Sequence, residues 1–210
     1  MREDRRALRR NETVREILDA ALAVMADEGV AALSLAEVAR RVGMRPPSLY
    51  EYFPSKMAVY DALFERGATD LLRLAERQRD ALAGDPLSAL RAGQHSQFAW
   101  ALDNPVLAQL LFWRPVPGFE PSAQAYRPAV ELIEELGSAL RAAVDAGQLA
   151  PAAATEDGIA IFATLFAGVI SQQLSNEPVT TVDKGRFTRL AGDFMDMYVR
   201  YFSPGKGRAT

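Results

Sequence analysis

A chain of 210 residues with 49% hydrophobic residues is long enough to bury the core of one large domain or two small ones. It has no cysteine, so it lacks the residues for disulfides and thiolate metal sites, and its single histidine leaves little material for a Ser-His-Asp triad or another metal site. The N-terminal MREDRRALRR has no apolar run after its charges, and the longest apolar run, 158–170, is shorter than the roughly 20 residues that span a bilayer. We therefore expect a cytoplasmic protein without membrane association, enzymatic activity, metal or cofactor.

The charges are unevenly distributed along the chain, whose net charge is −3. Residues 1–56 carry ten Lys and Arg against nine Asp and Glu, whereas the remainder carries fourteen against eighteen. Five arginines fall within the first ten residues. A basic leader on an acidic body is typical of a protein that binds an anionic partner through one end, although a solvated, disordered leader over Arg2–Arg6 fits the same composition.

Two segments before residue 44 have the pattern of capped amphipathic helices. In the first, Thr13 and Glu16 have the spacing of a capping box, and Gly29 follows the last periodic residue. In the second, Ser34 and Glu37 have the same spacing, and a glycine at 43 suits the left-handed residue that ends a helix. The apolar positions that recur at helical spacing are Val14, Ile17, Ala21 and Val24, then Leu35, Val38, Ala39 and Val42.

A third, short helix is predicted over Pro46–Tyr52. Consecutive prolines suit only the first turn of a helix, because they lack N–H groups and have φ already fixed. Few of its residues are available for a core, which indicates that the helix is displayed toward a partner. Two helices joined by a short turn containing glycine form the helix-turn-helix arrangement that reads DNA.

The run PPSLYEYFPSKMAVYDAL, over 46–63, resembles the TetR family of bacterial one-component transcriptional regulators. The resemblance covers about the first third of the chain and rests on the order, spacing and caps of the helices together. It implies a dimeric DNA-binding regulator, most often a repressor. The residues that carry it are Val38, Ala39, Gly43, Leu49, Tyr50, Tyr52, Phe53 and Lys56.

Two positions depart from the family pattern. Arg45 stands where a small capping residue is usual, and Tyr52 replaces a common His. Arginine at this position could strengthen a base or phosphate contact, but it is a poorer cap than a small polar residue.

Seven residues in this region are predicted to contact DNA. Tyr50 and Tyr52 are expected to donate hydroxyls to phosphate, and a lysine at 56 would oppose the helix dipole unless a phosphate lies there. Arg45 has the geometry to pair with guanine through two hydrogen bonds. The alternatives are a tyrosine packed on the core, a serine committed to capping and a solvated arginine. The predicted set is Ser34, Arg45, Pro47, Ser48, Tyr50, Tyr52 and Lys56.

The rest of the chain is also predicted to be helical, with helices over 55–82, 87–102, 105–113, 122–146, 152–175 and 183–202, and a loop over Pro115–Pro121. The expected fold is all-α. A three-helix DNA-binding head, residues 1–54, is joined through a long helix to a helical body that binds ligand and dimerises, residues 55–210. A continuous helix between them would transmit a displacement that a flexible linker would absorb.

The last two predicted helices carry apolar stripes that one small bundle would not cover. We expect a symmetric interface of two helices from each chain, which the family resemblance also implies. Part of each stripe must nevertheless fill the core of a single chain. The predicted interface residues are Phe166, Ile170, Phe187, Phe194, Met197 and Tyr201.

Large rings are concentrated in the middle helices, interleaved with a few polar side chains. Apolar walls with a few polar groups are typical of a small-molecule pocket, although simple core packing explains any single ring. Since no Lys or Arg lies among these positions, the expected effector is mostly apolar. The predicted lining is His95, Phe98, Trp100, Trp113, Tyr126, Phe162 and Phe166.

These patterns favour a regulator released from a pseudo-palindromic DNA operator by a small molecule. Two alternatives remain at this stage. One is a constitutive DNA-binding protein whose body only dimerises, and the other is a helical dimeric interaction protein without ligand response.

Overall fold

A computed structural model of the protein describes residues 2–205, with side chains from Arg6 onward except that of Leu82. Within this described part the chain is all-α, which confirms the predicted fold class. Residues 2–205 form nine α-helices: α1 Arg2–Glu28, α2 Leu35–Val42, α3 Pro46–Tyr50, α4 Lys56–Arg77, α5 Pro86–Asp103, α6 Pro105–Trp113, α7 Ala123–Asp145, α8 Glu156–Asn176 and α9 Ala191–Tyr201.

The chain forms two compact units. The head unit contains the described residues up to Gly67 together with Val106–Tyr126, and the body unit contains Ala68–Pro105 with the described residues from Arg127 onward. Helix α4 contributes residues to both units, because the division falls between Gly67 and Ala68.

Helix α1 begins at Arg2, so the prediction that it starts at Thr13 was wrong. Thr13 does not act as a cap, because its hydroxyl donates to the carbonyl oxygen of Arg9 at 3.0 Å within the helix. The leader contains five arginines, one alanine and one leucine, which have high helix propensities, and its backbone from Arg2 onward is helical rather than disordered. The side chains of residues 2–5 lie outside the described part.

Three other helix boundaries differ from the predictions by four residues or more. Helix α4 ends at Arg77 and is followed by a 3₁₀ turn at Asp80–Ala83 instead of continuing to residue 82. A 3₁₀ turn that opens with proline, Pro151–Ala154, precedes α8, which therefore starts later than predicted. Helix α9 begins at Ala191, eight residues after its predicted start at 183.

The core of the head unit is built from the predicted helical stripes. Ile17 and Ala21 of α1, Val38 of α2 and Leu63 of α4 are fully buried. Tyr60 of α4 is also buried and donates its hydroxyl hydrogen bond to the carbonyl oxygen of Val30 at 2.7 Å. This contact fixes the start of α4 against the segment that connects α1 to α2.

The core of the body unit centres on α8 and α9. Phe162 of α8 meets Tyr198 of α9 edge-on at 5.2 Å between ring centroids. The Tyr198 hydroxyl lies 3.1 Å from the carbonyl oxygens of Ala153 and Gly158, and burial raises the pKa of this phenol. Helix α8 is long and apolar enough to cross a membrane by length and composition, but the core helix of a soluble protein meets the same criterion, and 39% of its apolar window is buried inside the protein.

One buried amide ties down the segment between α8 and α9. The Gln173 side-chain oxygen accepts from the backbone N–H groups of Phe187 and Thr188 at 2.8 and 3.2 Å. Its nitrogen donates to the carbonyl oxygen of Glu177 at 2.7 Å. A Cβ at Gly185 would lie 2.7 Å from the same amide oxygen, so this turn requires glycine. These bonds hold the chain in a compact non-helical path, which explains the late start of α9.

Replacing Gln173 with Leu should destabilise the protein, because two buried N–H donors and one carbonyl would lose their partner. We expect the free energy of unfolding to fall by about 2–4 kcal/mol, measured by urea denaturation. The matched control is Gln172→Leu at the neighbouring, exposed position. Equal stability of the two variants would contradict this role of Gln173.

Candidate nucleic-acid interface

The first helix of the helix-turn-helix, α2, has one of the two hydrogen bonds that a capping box predicts. Ser34 has extended backbone angles, and its hydroxyl oxygen accepts from the Glu37 N–H at 3.4 Å. The reciprocal bond expected from the Glu37 carboxylate is replaced by bonds to two arginines. Arg40 donates twice, at 2.7 and 2.8 Å, and Arg41 donates once, at 2.9 Å.

This carboxylate organises the charged face of α2. Hydrogen bonds from Arg40 and Arg41, in that order of size, lower the pKa of Glu37 to about 2. Arg41 also donates to Asp27 of α1 at 2.8 Å, which joins the two helices. The sequence does show Glu37 three and four positions before the two arginines. We nevertheless assigned its carboxylate to the backbone N–H of Ser34, as a capping box requires.

The turn after α2 has the geometry predicted for Gly43. This glycine is left-handed, with φ 73° and ψ 25°. Its N–H donates to the Arg40 carbonyl at 3.2 Å, and the Met44 N–H donates to the Ala39 carbonyl at 2.9 Å. This pair of bonds is a Schellman motif, which closes the helix and fixes the direction of the exiting chain.

Helix α3 begins regularly at Pro46 even though Arg45 makes no side-chain capping bond. The poorer cap does not shift this predicted start, because prolines at the first two helical positions have no N–H to satisfy. The first remaining donor, the Ser48 N–H, bonds to the Arg45 carbonyl at 3.0 Å. The arginine side chain is therefore not needed for capping and is exposed.

One side of α3 is anchored and the other is displayed. Leu49 is fully buried and Phe53 is 6% exposed, which confirms that both belong to the core. Tyr50 is 52% exposed, and Pro47 is also exposed, whereas Ser48 is half-buried. This short helix therefore presents its polar and aromatic side chains to solvent.

Two predicted phosphate contacts lie beside α3. Lys56 is exposed at the first position of α4, where the Ser55 hydroxyl oxygen accepts from the Ala58 N–H at 3.2 Å. Tyr52 is half-buried, and the guanidinium carbon of Arg10 lies 4.8 Å from the centre of its ring. The sequence analysis missed this arginine, because the two residues are 42 positions apart and no spacing rule connects them.

The predicted ligand-binding residues belong to both units. Phe98 and Phe166 stack at 4.7 Å between ring centroids in the body unit, whereas Tyr126 stacks on Phe64 at 5.9 Å in the head unit. His95 is exposed. The remaining members also differ in burial: Phe162 is buried, and Trp100 and Trp113 are half-buried.

The predicted dimer residues divide by burial. Phe166 and Ile170 are 8% and 0% exposed, so they pack in the core of one chain and offer no surface to a second one. Met197 and Tyr201 are 57% and 55% exposed. The other two predicted residues, Phe187 and Phe194, are half-buried.

The loop after α6 is anchored on α4 within the head unit. The Asp61 carboxylate accepts from the backbone N–H of Ser122 at 2.7 Å and from its hydroxyl at 2.8 Å. Phe119 is buried and lies 5.6 Å from Tyr60 between ring centroids. An open surface pocket lies between these elements and is lined by residues that include Met57, Ala58 and Glu120.

The capped α2, the Schellman turn and the displayed α3 define a helix-turn-helix DNA-binding protein. Residues 17–63 match the family profile of bacterial regulatory proteins of the tetR family, and residues 90–194 match that of the tetracyclin repressor-like C-terminal domain. The chain therefore belongs to the TetR family of bacterial regulatory proteins.

Individual relatives and a solved structure agree with this membership. The transcriptional regulator BetI of Paraburkholderia phytofirmans is 29% identical over 205 residues, which cover 94% of each chain. The regulator Rv1816 of Mycobacterium tuberculosis is 30% identical over 125 residues, 59% of this chain, and the match spans only 53% of that relative's length. FadR of Bacillus subtilis, solved in complex with stearoyl-CoA, has a TM-score of 0.71 at 15% identity and covers 88% of this chain and 97% of its own, which shows the shared fold.

The pKa of Glu37 leads to a pH prediction. A carboxyl NMR titration should give a midpoint near 2, and Arg40→Ala should raise it because that arginine makes the largest contribution. Since the folded-state pKa is depressed, the carboxylate stabilises the fold above its usual value of 4.5, and this contribution disappears as the pH falls through about 2.

Glu37→Gln should therefore reduce the pH dependence of unfolding between pH 4.5 and 2. The control is Glu12→Gln on the exposed part of α1. A titration midpoint near 4.5 for Glu37 would contradict the proposed role of the two arginines.

Proposed function

We propose that this regulator binds a pseudo-palindromic duplex operator as a homodimer and is released from it by a small, mostly apolar ligand. Residues 1–54 bind DNA, and residues 55–210 dimerise and receive the ligand. The protein acts in the cytoplasm, where the bacterial chromosome lies, and most simply as a repressor.

The displayed surface of α3 carries the DNA-binding part of this proposal. Arg45, Pro47 and Ser48 lie in the first turn of α3 or immediately before it and read base edges in the major groove. In helix-turn-helix proteins the N-terminal residues of the second helix make these contacts. An arginine there pairs with the O6 and N7 atoms of guanine. The absence of a capping bond from Arg45 supports this role, because its guanidinium remains exposed.

Phosphate contacts surround this reading surface. Tyr50 and Tyr52 donate their hydroxyls to the backbone, and Lys56 adds a cation at the N-terminus of α4, where N–H groups and the helix dipole also favour an anion. Ser34 uses its oxygen to cap α2, and its hydroxyl hydrogen stays available to donate to phosphate. Such contacts fix the position of the protein on the duplex, while base contacts specify the sequence.

Measurements of DNA affinity should distinguish the residues that contact phosphates from those that contact bases. On duplex DNA from the region upstream of its own gene, Lys56→Ala should lower the magnitude of the salt slope of log K by about 0.9 per chain. Arg45→Ala should relax the preference for one base pair by about 1–3 kcal/mol. Tyr50→Phe should weaken binding to all sequences alike. Fluorescence anisotropy at several salt concentrations measures all three.

Lys184→Ala is the matched control, because it removes the same charge from an exposed position in the body unit. The complex should contain two chains per operator by sedimentation. Binding by the wild-type protein that is indifferent to salt and to all three substitutions would contradict the proposed function.

Dimerisation is supported by the exposed apolar side of α9. Met197 and Tyr201 lie four positions apart, on one face of the helix, and more than half of each side chain is exposed. On α8, a Cβ at Gly168 would meet no heavy atom within 4 Å, so a second helix can approach closely there. Two helices from each chain would bury this surface and would place the two reading helices about 34 Å apart, one turn of DNA. With Phe166 and Ile170 in the core, the interface on α8 belongs to its exposed positions instead.

The ligand part of the proposal rests on the aromatic side chains of the body unit and on the contact between loop and α4. The half-buried Trp100 provides apolar surface in the body unit, whose core holds the stacked Phe98–Phe166 pair. FadR, which shares the fold, was solved with stearoyl-CoA; only the acyl chain of that ligand is apolar and its coenzyme A part is anionic, so it supports ligand binding by this fold rather than the neutral character proposed here. Helix α4 continues through Gly67 without a break, and Asp61 attaches the loop before α7 to it. A ligand that favours one position of α4 shifts the population away from the DNA-bound state.

Ser122→Ala should uncouple ligand binding from DNA release, because it removes one of the two bonds to Asp61. Lipophilic compounds that quench the fluorescence of Trp100 or Trp113 should release wild-type protein from DNA. The variant should show the same quenching but weaker release in a gel-shift assay. A ligand that quenches and leaves the DNA affinity of the wild type unchanged would disprove the coupling, and a tight inducer with a large negative charge would contradict the proposed pocket chemistry.

A further inference from the structure

The helical leader has a second feature that the helix-turn-helix does not explain. Arg6, Arg9 and Arg10 are all exposed on the first turns of α1. Arg6 and Arg10 are four positions apart, on one face of the helix and about 6 Å apart along its axis. Like charges at this spacing repel one another, so the arrangement is unfavourable until an anion lies between or beside them.

The position of this arginine face is fixed by Tyr52. The Arg10 guanidinium carbon lies 4.8 Å from the centre of the Tyr52 ring, a cation–π contact between α1 and the residue two positions after α3. The arginine face of α1 is therefore adjacent to the end of the reading helix. All of these residues belong to the head unit.

The leader is also ordered before any partner binds. It continues without interruption into the turns of α1 where Ile17 and Ala21 are fully buried in the core of the head. The Thr13 hydroxyl donates to the carbonyl oxygen of Arg9, one turn earlier in the same helix. An arm that is part of a helix anchored in the core loses less conformational entropy on binding than a disordered arm does.

We propose that the first turns of α1 form a basic arm, Arg6, Arg9 and Arg10, that binds the phosphate backbone beside the groove occupied by α3. Arg6 and Arg9 contact phosphates directly. Arg10 is a positioning residue, because its stacking on Tyr52 sets the direction of the arm and adds positive charge beside the Tyr52 hydroxyl. The arm extends the DNA footprint of each chain beyond the helix-turn-helix. This inference rests on the proposed DNA-binding function.

The arm contributes affinity and salt dependence rather than sequence preference, since phosphate contacts carry no direct sequence information. Each neutralised phosphate contributes a slope of about −0.9 to log K against log salt. Loss of two contacts per chain should therefore make the slope shallower by about 1.8 for each chain bound.

The test compares Arg6→Ala/Arg9→Ala with Arg73→Ala/Arg77→Ala, a control pair of exposed arginines on α4 in the body unit. The probes are a labelled duplex from the region upstream of the gene and a mixed-sequence duplex of equal length. We expect the arm variant to bind both duplexes more weakly and with the shallower salt slope. The ratio of its affinities for the two duplexes should equal that of the wild type. Protection from hydroxyl radicals should be lost only at the flanks of the bound site. The control should match the wild type.

Arg10→Lys tests the positioning role and should keep most of the slope, because lysine preserves the cation over the ring, whereas Arg10→Ala should lose flank protection. Circular dichroism establishes that each variant is folded. Wild-type protein that binds neither duplex would overturn the proposed function and the arm with it. Wild-type binding with an unchanged slope in the arm variant would overturn the arm alone. Arm-dependent binding to vesicles of phosphatidylserine and phosphatidylcholine, with no slope change on DNA, would overturn it in favour of a membrane surface.

Discussion

The head depends on the burial of one leucine in a helix that is too short to exist by itself. Isolated helices below about 12–15 residues are marginal in water, and α3 has five residues. Leu49 is fully buried and anchors it, while Gly43 sets the direction of the incoming chain. Because both constraints act through the backbone and the core, the side chains on the exposed face of α3 do not help to hold the helix in place. The residues proposed to read the DNA sequence are thus ones whose replacement costs the fold little.

Much of this architecture is readable from the sequence, because local rules decide it. A glycine with φ 73° after an amphipathic stripe, and two prolines at a helix start, each have one common structural meaning. The same rules were right about which positions are core, including Leu49 and Phe53. They were less successful with Arg45. Arginine is a poor cap, but the prolines that follow it have no N–H groups, so no capping bond is needed there.

The errors arise where a local signal competes with a distant partner. Thr13 has the chemistry of a cap, but the helix propensity of the preceding residues carries α1 back to Arg2. Helix α9 starts late because Gln173, from the preceding helix, supplies hydrogen bonds to a segment that the apolar spacing alone would make helical. The burial of Phe166 and Ile170 could not be predicted for the same reason, since apolar composition does not reveal which side of α8 faces the core. Contacts such as Arg10 with Tyr52, or Asp61 with Ser122, join residues that no spacing rule relates.

The anchoring of the 177–188 segment by a single amide has a consequence for how this chain tolerates change. The bonds from Gln173 to backbone groups of Glu177, Phe187 and Thr188 do not involve the side chain of Val179, although Gly185 is required near their far end. Val179 is 92% exposed within that stretch. Exposed loop tips tolerate insertions best, and here the two ends of the loop are held independently of its tip. The stretch around Val179 is therefore a natural place to insert a peptide tag or a fluorescent label while the ends of the loop remain anchored.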